Sequence, residues 1–172
     1  KVLAVARAEN AHPLAAGYAP QIAAAAKTGY THVLAPSTTF GKDVLPRAAA
    51  LLGVAQVSDL SAVEGPHAVK RPIYAGNAID TVEARPDQVL VATVRTASYA
   101  ATASGANAAP VETLALDVTL PTHTRFVGLA QGKSDRPDLQ AASRVVSGGR
   151  ALGSADSFSI IYALADKLGA AV

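Results

Sequence analysis

The chain has 172 residues, half of them hydrophobic, which is long enough for one full core or for one domain and part of another. Its 15 basic and 13 acidic residues are scattered and give a net charge of only +2, which argues against a nucleic-acid-binding protein. No apolar run reaches the roughly 18 residues of a membrane-spanning helix, and the lack of cysteine excludes disulfides, thiolate metal sites and cysteine nucleophiles.

The first third of the sequence alternates strand and helix patterns. It predicts a strand over 1–6, a helix over 17–27, a strand over 31–35 and a helix over 42–52. Pro20 is expected in the first turn of the first helix, Gly29 after its end, and Gly53 at the end of the second helix. Because the sequence has no methionine and opens on an apolar strand with no targeting segment, we expect it to be an internal piece of a longer protein.

The middle of the sequence changes from this alternation to strands alone. Four strand-like runs follow one another, at 55–63, 68–74, 78–84 and 89–96. The Gly-Asn pair within 74–78 predicts a hairpin turn. Apolar strands separated by helices are typical of a parallel sheet, so we predict an α/β fold whose parallel start continues into antiparallel strands as a mixed sheet. A loop over 98–107 and a short strand over 111–117 complete this region.

Charged residues, glycine, serine and proline concentrate over 132–138, as they do in linkers between domains. We therefore predict one domain over 1–131 and the beginning of a second over 132–172. The second is expected to hold a strand at 144–146, a helix from Asp156 or Ser157 to Leu168, and the first residues of another strand at 170–172. The apolar face of that helix is predicted to contain Phe158, Ile161, Leu164, Ala165 and Leu168.

The turn between the predicted strand and helix of the second part, residues 147–154, reads SGGRALGS. A strand, a glycine-rich turn and a helix can aim backbone N–H groups and the positive end of the helix at an anion. Gly148 and Gly149 permit positive φ and close backbone approach, and Arg150 offers a fork suited to a diphosphate or a planar ring. The spacing matches neither G-x-G-x-x-G nor a P-loop, so an ordinary turn stays an alternative to a cofactor contact.

Other polar residues give weaker indications. The turn over 37–42 can hold a nucleotide phosphate or simply cap the following helix. Histidines occur at His12, His32, His67 and His123. Their spacing indicates no metal site, and His32 is expected to be a core histidine with satisfied ring nitrogens. Without a G-x-S-x-G elbow or paired carboxylates, we predict no catalytic residue.

Seven strings of this chain occur in a fixed order in one protein family. They are THVLAPSTTFGKDVLPR (31–47), VAQVSDL (54–60), RPIYAGNAIDTV (71–82), VRTASYAATASG (94–105), KSDRPDL (133–139), VVSGGRALGSADSF (145–158) and ADKLGAAV (165–172). In these strings the chain resembles the α subunit of electron transfer flavoprotein (ETF). Since the strings extend over nearly the whole chain, the resemblance is specific.

The resemblance implies an N-terminal α/β domain followed by the start of an FAD-binding domain. It further implies a heterodimer with the ETF β subunit, which carries an AMP. Such a protein is an electron carrier without substrate turnover of its own in fatty acid β-oxidation. It takes electrons from acyl-CoA dehydrogenases and other flavoprotein dehydrogenases and passes them to ETF:quinone oxidoreductase. The implied compartment is the mitochondrial matrix, or the cytoplasm if the protein is bacterial.

The resemblance also assigns the site. It implies that Arg150 contacts FAD in the intact heterodimer, and that Gly148 and Gly149 let the backbone approach the cofactor. Members of this family begin one βαβ unit earlier and continue further, so most of the FAD site is expected to lie outside this chain. The isolated chain should then bind FAD weakly or not at all. The turn over 37–42 should be empty, because the AMP lies in the partner.

Two other functions are compatible with parts of the sequence. A nucleotide-binding module of the universal-stress-protein type would hold AMP or ATP at the turn over 37–42, but the antiparallel middle and the linker argue against it. A Rossmann dehydrogenase needs G-x-G-x-x-G and an acidic residue about twenty positions later, and this chain has neither.

Overall fold

The computed structural model of the protein describes residues 1–105, 107–130 and 135–172. These residues form two compact units, Lys1–Phe126 (unit 1) and Val127–Val172 (unit 2). The predicted linker begins at Gly132, and its residues 132–134 lie outside the described residues.

The described part of unit 1 contains eight strands and two α-helices. The strands are β1 (Val2–Ala4), β2 (His32–Pro36), β3 (Gln56–Leu60), β4 (Ala62–Val63), β5 (Ala68–Ile73), β6 (Ala78–Glu83), β7 (Leu90–Val94) and β8 (Val111–Thr113). The helices are α1 (Ala15–Ala26) and α2 (Thr39–Leu52). The strands form a parallel pair β1-β8, a parallel sheet in the order β2-β7-β3, and an antiparallel sheet in the order β4-β5-β6.

The predicted α/β class, with a parallel start and antiparallel strands after it, is confirmed. In detail, the antiparallel strands form a sheet of their own. The predicted hairpin is present, because β5 and β6 pair across the turn Tyr74–Gly76. The run predicted as one strand over 55–63 is divided into β3 and β4. Asp59, near the end of β3, has a φ of 60° and donates its N–H to Thr93 Oγ1 at 2.9 Å, at an irregularity in the pairing of β3 with β7.

Strand β7 lies at the centre of the parallel sheet and is buried on both faces. Alternate side chains of a strand point to opposite faces. Val91 therefore packs against Leu45 and Ala49 of α2. Ala92 packs on the other side, in a cluster with Val69 of the antiparallel sheet.

The two helices of unit 1 pack on each other through small side chains. Ala19 of α1 and Ala48 of α2 are completely buried at this contact. The predicted cap of α2 is confirmed, since Thr38 Oγ1 accepts a hydrogen bond from the N–H of Gly41 at 3.2 Å. Because the cap is Thr38, the helix begins at Thr39, three residues before the predicted start. Helix α1 begins at Ala15, so Pro20 lies in its second turn, and the prediction of the first turn was wrong.

Unit 2 contains one α-helix among its described residues, α3 (Ser159–Leu168). Two 3₁₀ turns precede it, Arg150–Leu152 and Asp156–Phe158. Gly169 ends the helix with a φ of 59°. The strands predicted on either side are reduced to a single parallel bridge between Val145 and Ala171. Across the described ranges of both units, no helix has the length and apolar character needed to cross a membrane.

The glycine in the first turn of α2 provides a test of this packing. A Cβ on Gly41 would overlap the carbonyl oxygen of Pro36, whereas a Cβ on Gly17 in α1 would meet nothing within 4 Å. We expect Gly41→Ala to lower the free energy of unfolding by about 2 kcal/mol or more, because backbone must move to admit the methyl group. Gly17→Ala should raise it by up to about 1 kcal/mol through helix propensity. Urea unfolding followed by circular dichroism measures both, and equal stabilities would contradict the close approach.

Candidate cofactor site

An open groove of about 590 Å³ lies in unit 2, between the turn over 147–154 and the start of α3. The residues that line it are Gly148, Gly149, Arg150, Leu152, Gly153, Ser154, Ala155, Phe158 and Tyr162. All three residues predicted to contact a cofactor are among them. Nine residues close in sequence form this groove because the turn folds back on the helix that follows it.

The two adjacent glycines have different roles. A Cβ on Gly148 would overlap the side chain of Leu152 and lie 3.2 Å from Ile161 Cγ1, so this glycine lets the turn pack closely on α3. A Cβ on Gly149 would meet nothing within 4 Å. Neither glycine has the positive φ that its residue type permits. Within the turn only Gly153 has it, at 78°, and Gly149 is extended with a φ of −113°.

Arg150 begins the first 3₁₀ turn and is exposed beside the groove. Its backbone carbonyl accepts a hydrogen bond from Gly153 N–H at 3.0 Å. Within the described ranges, its guanidinium makes no hydrogen bond or ion pair with another residue. The five N–H donors of this group are therefore available to a ligand in the groove.

Ser154, which precedes α3, adds a polar group to the same groove. Ser154 Oγ accepts a hydrogen bond from Ser157 N–H at 3.3 Å and lies 3.0 Å from the hydroxyl of Ser157. This end of the helix also has the positive partial charge of the helix dipole. Together with Arg150, it makes the rim of the groove favourable for an anionic group.

Two aromatic rings also line the groove and form its aromatic wall. Phe158 and Tyr162 lie one helical turn apart, with ring centroids 5.9 Å from each other and planes tilted by 49°. A cationic rim beside aromatic rings suits a ligand that combines a phosphate with a planar ring, as a nucleotide does. Phe158 was predicted on the apolar face of the helix, and Tyr162 was not predicted as a site residue. Their spacing of four residues, directly after the turn, was the signal that could have found them.

Two of the other candidate residues, Thr38 and His32, have structural partners. Thr38 of the turn over 37–42 caps α2, as described above. His32 is satisfied at both ring nitrogens: Nε2 lies 2.6 Å from the Pro66 carbonyl and Nδ1 lies 2.8 Å from Thr31 Oγ1. Because the carbonyl only accepts, Nε2 holds the proton. In the described parts of the chain, no three possible histidine or carboxylate ligands lie close enough together to hold a metal ion.

Two family models of known proteins match this chain, one in its N-terminal part and one in its C-terminal part. Residues 1–119 match the family model of the electron transfer flavoprotein domain, and residues 138–172 match that of the electron transfer flavoprotein FAD-binding domain. The chain belongs to the electron transfer flavoprotein family. The groove of unit 2 lies entirely within the second match.

The relatives of this ETF chain include bacterial and eukaryotic proteins. It is 51% identical to the electron transfer flavoprotein subunit alpha of Pseudomonas aeruginosa, over 100% of the chain and 55% of the relative. It is 51% identical to that of Paracoccus denitrificans, over 83% of the chain and 46% of the relative. It is 40% identical to the mitochondrial electron transfer flavoprotein subunit alpha of Oryza sativa, over 94% of the chain and 47% of the relative. The chain spans about half the length of the curated relatives it matches.

The two glycines of the groove can be separated by their effect on stability. We expect Gly148→Ala to destabilise α3 by about 1–2 kcal/mol, because the methyl group is forced against Leu152 and Ile161. Gly149→Ala should change the stability by less than about 0.5 kcal/mol, because its Cβ points into open space. Hydrogen exchange at the amides of α3 measures both changes. Equal protection in the two variants would contradict the packing role of Gly148.

Proposed function

We propose that this chain is part of the FAD-binding α subunit of an electron transfer flavoprotein. The observation that carries the proposal is the coincidence of the groove with the stretch similar to the FAD-binding domain, residues 138–172. The cationic rim and aromatic wall of the groove suit a flavin nucleotide, which combines a diphosphate with planar rings. Bound FAD supplies the redox chemistry, and the chain positions it.

The proposed roles of the chain's own residues follow from their places in the groove. Arg150 directs its guanidinium at the cofactor and contributes the positive charge that complements it. Gly149 leaves the backbone open to close approach, and Gly148 holds the turn against α3. Further contacts are expected from the parts of the intact heterodimer that this chain does not span. The isolated chain should therefore bind FAD weakly.

The rest of the proposal concerns the whole protein. It is an electron carrier without its own substrate turnover, paired with the ETF β subunit, which holds the AMP. It takes electrons from acyl-CoA and other flavoprotein dehydrogenases in fatty acid β-oxidation and passes them to ETF:quinone oxidoreductase. It works in the mitochondrial matrix, or in the cytoplasm of a bacterium. Residues 1–131 contribute the N-terminal α/β domain and residues 132–172 begin the FAD-binding domain.

The proposed role of Arg150 is tested by Arg150→Gln in the heterodimer, made by co-expression with the β subunit. Loss of a hydrogen-bonding charge should raise the dissociation constant for FAD by about 10-fold or more. Titration of the deflavinated protein with FAD, followed by flavin fluorescence, measures this constant.

The control is Lys167→Gln, which removes one positive charge from the same unit at a residue outside the groove lining. It should leave the dissociation constant unchanged. Equal losses in the two variants would mean that overall charge, rather than the position of Arg150, retains the cofactor. Purification of the parent heterodimer without flavin absorbance would reject the proposed function itself.

A further inference from the structure

One ring of the aromatic wall, that of Tyr162, is contacted by a residue from outside the helix. Arg136 donates two hydrogen bonds to the Asp166 carboxylate, from Nε to Oδ1 at 2.7 Å and from Nη2 to Oδ2 at 3.0 Å. The same guanidinium lies over the ring of Tyr162, with Cζ 4.7 Å from the ring centroid. Arg136 thus connects the segment before the turn to two residues of α3.

The geometry of this contact restricts the ring. Tyr162 and Asp166 are four residues apart on α3, so they lie next to each other on one face of the helix. A guanidinium bound through two parallel hydrogen bonds has a fixed plane. Its place over the ring, together with the electrostatic attraction between a cation and an aromatic face, selects one orientation of Tyr162.

Tyr162 is the member of this cluster that also lines the groove, and its residue surface is 42% exposed. A partly exposed tyrosine without such a partner samples several side-chain rotamers, and binding must then select one of them. A ring that is already held avoids this cost.

We propose that Arg136 is a positioning residue for the cofactor groove, which with Asp166 fixes the ring of Tyr162 as the wall against which a planar ring of bound FAD packs. This inference rests on the proposed function. It assigns to Arg136, the arginine of the KSDRPDL string, a role in retaining the cofactor through Tyr162. Arg136 itself need not touch the cofactor.

The test compares Arg136→Gln, Tyr162→Ala and the double variant in the heterodimer with the β subunit. Each single change should raise the dissociation constant for FAD by about 3- to 10-fold. This is the effect expected from losing a cation–π contact and the ordered Tyr162 ring that it supports. The double variant should bind no more weakly than Tyr162→Ala alone, because Arg136 acts through that ring. Effects that multiply, or an unchanged constant in either single variant, would overturn the inference.

Two further variants separate positioning from general support of the helix. Asp166→Asn should weaken FAD binding as Arg136→Gln does, and Tyr162→Phe should retain it, because the ring remains. The matched control is Arg144→Gln. Arg144 also connects to α3, donating from Nη1 to the Leu168 carbonyl at 3.1 Å, but it does not line the groove. This variant should leave FAD affinity unchanged, and a loss equal to that of Arg136→Gln would reject a specific positioning role.

A second readout needs no cofactor. In the deflavinated heterodimer, the ring resonances of Tyr162 in selectively labelled protein should shift and broaden in Arg136→Gln but not in Arg144→Gln. If these resonances do not change in Arg136→Gln, Arg136 does not fix the ring of Tyr162, and the inference is overturned whatever the affinity for FAD. If they change while the parent protein binds no FAD, the proposed function is rejected although Arg136 does fix the ring of Tyr162.

Discussion

Burial of β7 on both faces is the constraint on which unit 1 depends. A strand in this position needs apolar side chains in both directions, and its residues Leu90–Ala92 provide them. Helix α2 covers one face and the antiparallel sheet covers the other. Thr93, also buried, is tolerated because its hydroxyl accepts the N–H of Asp59. That hydrogen bond lies at the irregularity where β3 leaves the parallel sheet.

Unit 2 has no comparable strand among its described residues, and its order has a different origin. Within its described residues, strand pairing is limited to the bridge between Val145 and Ala171. Apolar residues of α3 such as Ile160 are 67% exposed. With so little apolar burial, directional contacts determine where α3 lies relative to the turn. The ion pair of Arg136 with Asp166 is the most specific of these. The candidate cofactor groove thus lies where polar geometry, more than a hydrophobic core, positions the side chains.

Prediction from the sequence succeeded where a local rule decides the structure. The cap at Thr38, the stop at Gly53, the hairpin after β5 and the end of α3 all depend on residues within one turn of the feature. Prediction from the sequence failed where a residue's contact partner is distant along the chain. The division of the run over 55–63 depends on Thr93, and the role of Gly148 depends on Ile161 across the turn. Neither partner is adjacent in sequence, so no local pattern contains it.

The sequence by itself determined the alternation of strands and helices, the glycine-rich turn with Arg150 and, through its ordered strings, the resemblance to the electron transfer flavoproteins. These are properties of neighbouring residues and of their order. Only the tertiary structure decided which glycine packs and which stays open, and that Arg136 lies over Tyr162. Such contacts join residues that many positions separate, and their geometry exists only after the chain has folded and excluded other arrangements of the same side chains.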